Sequence, residues 1–91
     1  MRCIHTLKVK NDLGLHTRPA TVIVKMLQSY RSSVTFTYKK ETVNARSIMS
    51  LLMLAVRKNC SLKVTIEGED ALLVLQELVH IFENRFDEKV L

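Results

Sequence analysis

The alternation of apolar and polar residues divides this chain into seven segments. In residues 3–9 the odd positions Cys3, Leu7 and Val9 are apolar and the even ones mostly polar, the period of two of a half-buried strand. Asn11, Asp12 and Gly14 then supply turn chemistry. Beyond the turn Ala20, Ile23, Val24 and Leu27 fall at i, i+3, i+4 and i+7, the stripe of a helix packed on one side. Residues 32–38 alternate again, with Val34, Phe36 and Tyr38 on one face, and a turn at Lys39 and Lys40 leads to a brief strand around Thr42 and Val43. Residues 44–56 read as a second helix, opening at a Ser or Asn cap. It closes on Arg57, Lys58 and Asn59, cations and a residue tolerant of left-handed backbone that suit a helix C-terminus. Leu62, Val64 and Ile66 alternate as a fourth strand, which Gly68 breaks. From Asp70, a candidate N-cap, a third helix is predicted to about Phe86, with Ala71, Val74, Leu75, Leu78, Ile81 and Phe82 as its buried stripe.

The order βαββαβα predicts an α+β fold: an open-faced, two-layer sandwich of a four-stranded antiparallel sheet with three helices on one face. Ninety-one residues with 47% hydrophobic and 25% charged side chains suit one folded domain, residues 1–91, and not a disordered tail. The longest apolar run, residues 51–56, is far short of the roughly 20 residues needed to cross a bilayer. No stretch of signal-peptide character opens the chain, so a cytoplasmic protein without membrane insertion is expected, a monomer by default. Cys3 and Cys60 lack C-x-x-C spacing, and His5, His16 and His80 are scattered. Two packed, reduced thiols are expected, with no metal and no cofactor.

Charge is uneven. Residues 1–65 hold twelve Lys and Arg against two acids, a balance of +10, whereas residues 66–91 hold two against seven, a balance of −5. A basic body with an acidic end fits nucleic acid, an anionic substrate or an acidic protein partner, and charge alone does not choose among them.

The chemistry concentrates in residues 14–20, GLHTRPA. A glycine turn delivers His16 to the start of the first helix, and Pro19 lies in its first turn, where a helix tolerates proline. Helix starts attract Asp or Glu to their free N–H groups and positive dipole end, yet residues 13–30 contain no acid. A helix start without a carboxylate and with Arg18 beside it is a prepared anion site. A neutral imidazole nitrogen can attack phosphorus, and Arg18 could then pair with the phosphoryl oxygens through its planar fork. The plainer alternative is a His that ends a helix beside a solvated cation.

A second stretch, residues 44–49, NARSIM, sets Ser47 at a helix start with Ile48 and Met49 in the exposed first turn. With Leu52 these apolar residues could form a docking patch. Ser47 beside Arg46 suits a phosphorylation site, against the plainer reading of an N-cap worth roughly 1 kcal/mol. His80 shares a polar helical face with Gln76, Glu83 and Asn84 and is expected exposed, while His5 is expected to be packed. Phe36 and Tyr38 share a strand face as base-stacking pairs do, but two aromatics on a core strand are far more often core.

Both stretches, at their spacing, resemble the histidine-containing phosphocarrier family, HPr, of the bacterial phosphoenolpyruvate-dependent sugar phosphotransferase system. GLHTRPA resembles its active-site signature, NARSIMS its regulatory-serine signature, and GEDA at residues 68–71 the start of its last helix. The resemblance runs over essentially the whole chain. It implies that His16 accepts a phosphoryl group on Nδ1 from enzyme I and passes it to a IIA domain, the chain being a carrier and not an enzyme. It also implies that Thr17 and Arg18 hold the phosphate, that Ser47 is the target of an HPr kinase/phosphorylase, and that Thr17, Ala20, Arg46, Ile48, Met49 and Leu52 meet partners. Three positions depart from the family pattern. Ser50 stands where Gly is common, Lys39-Lys40 replaces an Asn-Gly-type turn, and Asn59 occupies a frequent glycine position. Two other classes stay open beside the carrier: a signalling module acting mainly through Ser47, and a small basic nucleic-acid binder, which would lack a G-x-x-G loop and has few aromatics.

Overall fold

A computed structural model describes residues 1–87. The order is β1 (Arg2–Lys8), α1 (Thr17–Leu27), β2 (Ser33–Tyr38), β3 (Glu41–Asn44), α2 (Ile48–Leu54), β4 (Ser61–Glu67), α3 (Ala71–Glu83) and a 3₁₀ turn at Arg85–Asp87. The four strands form one antiparallel sheet in the order β1-β4-β2-β3. Register sets the two faces. Cys3, Ile66 and Val34 share one row and Leu7 pairs with Leu62, all facing the helices. The opposite rows, Arg2–Glu67–Ser33 and Thr6–Lys63–Thr37, are polar and leave that face open to solvent.

The core lies between the inner sheet face and the helices. Phe36, Val64 and Ile66 from the sheet meet Ile23 and Leu27 of α1, Leu51 of α2, and Val74, Leu78 and Phe82 of α3, all fully or almost fully buried. Each such side chain contributes about 1.5–3 kcal/mol relative to exposure. Phe82 is the aromatic hub, edge-on to Phe36 with ring centres 6.1 Å apart and 4.8 Å from Phe86.

Several boundaries differ from the pattern's prediction. Helix α2 begins at Ile48, not residue 44, because Asn44 still pairs with Thr35 and the Ala45 N–H donates to the Val34 carbonyl, keeping the chain in the sheet. It ends at Ala55, whose φ of 54° places it in the left-handed region. Asn59, at φ 68°, belongs to the later turn that opens β4. Helix α3 stops at Glu83. Arg85 and Phe86 take φ of 51° and 56°, a break that folds the Phe86 ring onto Phe82, and Asn11 Nδ2 donates to the Arg85 carbonyl across it. Leu75 and Ile81 are half-buried, not core, and His5 is exposed, because β1 is an edge strand with a sheet neighbour on one side only.

Asp70 precedes α3 as expected, but its side chain does not cap that helix. Its carboxylate reaches across to the α1–β2 loop, accepting from the Arg31 N–H at 2.8 Å, the Ser32 N–H at 3.0 Å and the Ser32 hydroxyl. The Ser32 hydroxyl first, then the Arg31 amide, hold the Asp70 carboxyl below the usual carboxylate range.

Candidate functional site

His16 is the N-cap residue of α1, half-buried, with extended backbone (φ −95°, ψ −167°). Its delivery depends on a tight sequence of backbone bonds: the Gly14 N–H donates to the Asn11 carbonyl, Leu15 N–H to Val56 O at 2.9 Å, and His16 N–H to Gly14 O. Gly14 has φ +69°, and a Cβ there would lie 2.4 Å from Val56 O. Only a glycine fits this close approach of two backbones.

At α1 the His16 side chain makes no capping bond, and the first turn contains no acid. The Thr17 and Arg18 amides have no carbonyl one turn back to receive them, and Pro19 has no N–H, so those two amides form the donor pair at the helix start. Ala20 N–H already closes on the His16 carbonyl at 3.0 Å. The side chains of Thr17 and Arg18 are exposed, whereas Pro19 and Ala20 are buried. The nearest acid in sequence, Asp12, is neutralised by Lys58 Nζ at 2.7 Å, a bond that also holds its carboxyl below the usual range. The Arg57 backbone abuts Gly14, so the segment after α2 fixes the turn that leads to His16. The arrangement is a half-buried imidazole at the start of a helix whose own first turn holds no acid.

Ser47 is the N-cap of α2, its Oγ accepting from the Ser50 N–H at 3.2 Å. Helices α1 and α2 pack together and run antiparallel. Residues beside the start of α1 bond the segment after α2, and Arg46, beside the start of α2, bonds the last residue of α1. His16 and Ser47 therefore stand at opposite ends of the pair, with α1, 11 residues and about 16 Å long, running between those ends.

Between them α2 exposes an apolar stripe. Ile48 is 37% exposed, Met49 67% and Met53 72%, with Leu52 half-buried. Met53, four residues after Met49 on the same helical face, was missed in the pattern reading although the i, i+4 spacing signals it. Two expected partner residues are not free surface side chains. Ala20 lies on the core stripe of α1 and is fully buried, so it offers no surface. Arg46 is occupied: Nη1 donates to Leu27 O at 2.7 Å, and Nη2 to Tyr30 O at 2.9 Å and Ser32 O at 2.8 Å. It fastens the loop after α1 and does not flank Ser47 as a free cation.

Among the described residues, no helix is long and apolar enough to cross a membrane, and no group of three or more His, Cys, Asp or Glu side chains could hold a metal ion. A family model for the PTS HPr component phosphorylation site matches residues 4–84. A phosphocarrier protein HPr of Xylella fastidiosa is 40% identical over 84 residues, 92% of this chain and 94% of that protein. An HPr of Chlamydia muridarum is 44% identical over 80 residues, covering 88% and 77% respectively. A crystal structure of HPr from Thermoanaerobacter tengcongensis superposes with a TM-score of 0.91 at 32% identity, covering 97% of this chain and 99% of that one. The chain belongs to the HPr family of phosphocarrier proteins of the phosphotransferase system.

Proposed function

We propose that His16 is the phosphoryl-carrying residue, charged by enzyme I at the expense of phosphoenolpyruvate and discharged to a IIA domain. The Nδ1 lone pair attacks phosphorus. A P–N bond forms as the bond from phosphorus to the donor breaks, with that electron pair leaving on the donor. Delivery to the next acceptor reverses the roles. The observation that carries this reading is the placement of His16 as the N-cap residue of α1, a helix whose first turn holds no acid. The transferred oxygens would meet the Thr17 and Arg18 amides and the Arg18 guanidinium. Each helix-end contribution is about 0.3–1 kcal/mol, weak enough for the group to move on.

Thr17, Ile48, Met49, Leu52 and Met53 form the proposed docking face, and Ser47 at its edge is the proposed target of an ATP-dependent HPr kinase/phosphorylase. A phosphate on Ser47 would act on docking through that apolar stripe, not by touching His16 at the far end of α1.

Intact mass after incubation with phosphoenolpyruvate and enzyme I tests the assignment. One acid-labile phosphoryl group, absent from His16→Ala, is expected. A folded protein that takes no label beside an active control carrier, or a His16→Ala variant that labels fully, overturns it. Label from ATP and kinase alone would instead favour a module acting through Ser47.

A further inference from the structure

Away from the His16 imidazole, the β2–β3 turn and the C-terminal end of α2 border an open groove of about 770 Å³. That volume lies within the roughly 300–1,000 Å³ of small-molecule sites. Lys39 and Lys40 from the turn and Arg57 from the segment after α2 line it, against the single carboxylate of Glu41. The salt bridges among the described residues join Arg2 to Glu67 and Lys58 to Asp12, and neither uses a cation of the groove. Three like charges in one concavity repel, and an anion would relieve them.

One of these cations is placed rather than merely solvated. Lys39 holds a left-handed backbone, φ +56°, where Gly or Asn would sit without strain. Its ammonium lies 5.4 Å from the centre of the Tyr38 ring, within cation–π range. Met53 and Leu54 add apolar lining, and the Met53 thioether is an adaptable surface for a planar ring.

We propose that this groove binds a nucleoside polyphosphate, the phosphate chain against Lys39, Lys40 and Arg57 and the base against Met53 and Leu54. The concavity, with its apolar lining, favours a small molecule over a flat acidic protein surface.

NMR titration of the whole chain with ATP and GTP, alongside adenosine and tripolyphosphate, tests the proposal. Expected are saturable shifts at residues 38–41 and the Met53 methyl with at least one nucleotide, and binding by adenosine or tripolyphosphate at least about tenfold weaker. A K39N/K40Q double variant, in which Asn suits the left-handed backbone, should lose about tenfold in nucleotide affinity while keeping its unfolding temperature and phosphoryl labelling. No saturable shift with either nucleotide, equal binding of tripolyphosphate alone, or unchanged affinity in the variant would overturn the proposal.

Discussion

The Arg46 guanidinium donates to the carbonyl of Leu27, the last residue of the helix that begins beside His16, at 2.7 Å. One side chain beside Ser47 thus caps the far end of the helix whose start forms the proposed phosphoryl site. With further bonds to Tyr30 O and Ser32 O, all from one planar group, Arg46 fastens α1, the loop after it and the approach to α2 into one unit.

Replacing Arg46 with Met should therefore act first on stability. Three charged hydrogen bonds are lost and the Tyr30 and Ser32 carbonyls are left to water, a loss of about 2–3 kcal/mol and a Tm lower by roughly 10–20 °C. Arg46→Lys should recover less than half, since a single ammonium cannot span three carbonyls. Thermal unfolding followed by circular dichroism checks both, and an unchanged Tm in Arg46→Met would assign the residue to the docking face instead.

Gly14→Ala should damage fold and function together. The added methyl would meet Val56 O at 2.4 Å in a backbone conformation alanine avoids, destabilising by more than about 2 kcal/mol. The same turn positions His16, so labelling under conditions where the variant is still folded should also slow. Urea unfolding and single-turnover labelling separate the two effects, and wild-type values in both would mean that the turn shifts without consequence.

Most of the fold was legible because strand and helix periods are strong here: Val34, Phe36, Leu62, Val64 and Ile66 alternate cleanly, and the α1 stripe is regular. The errors fall where tertiary contacts override local preference. Ala55, not Asn59, closes α2, and the inward turn at Arg85 and Phe86 shortens α3 to add an aromatic contact. The His16 motif was readable because an acid-free helix start is a local anomaly. The occupation of Arg46 was not, because its three acceptors lie 14 to 19 residues away and acquire meaning only when α1 and α2 pack antiparallel.

Asp70 gives the protein an acid-side dependence. Its folded value is depressed below the ordinary 3.8, first by the Ser32 hydroxyl and then by the Arg31 amide. The stabilisation is therefore complete above that ordinary value and is lost as pH falls through the lower folded one. Asp70→Asn should unfold at a lower temperature than wild type at neutral pH, with the gap closing as the pH falls below 3.8 and through the depressed folded value. Unfolding temperatures across a pH series check this, and a pH-independent gap would mean that the side chain acts by shape and not by charge.

Ser47 permits docking and folding to be separated at one position. Ser47→Ala removes the Oγ that accepts from the Ser50 N–H and should cost about 1 kcal/mol of stability. Ser47→Asp keeps an acceptor at the helix start, so stability should hold, yet it sets a negative charge beside Ile48 and Met49 and should slow phosphoryl transfer from enzyme I. Met49→Ser, at a side chain 67% exposed, should leave stability within about 0.5 kcal/mol and slow the same transfer through lost apolar contact. Transfer rates measured against enzyme I concentration locate the effect, because a docking defect raises the half-saturating concentration and leaves the limiting rate intact. If Ser47→Asp and Met49→Ser both transfer at the wild-type rate, the exposed face of α2 is not where the donor docks.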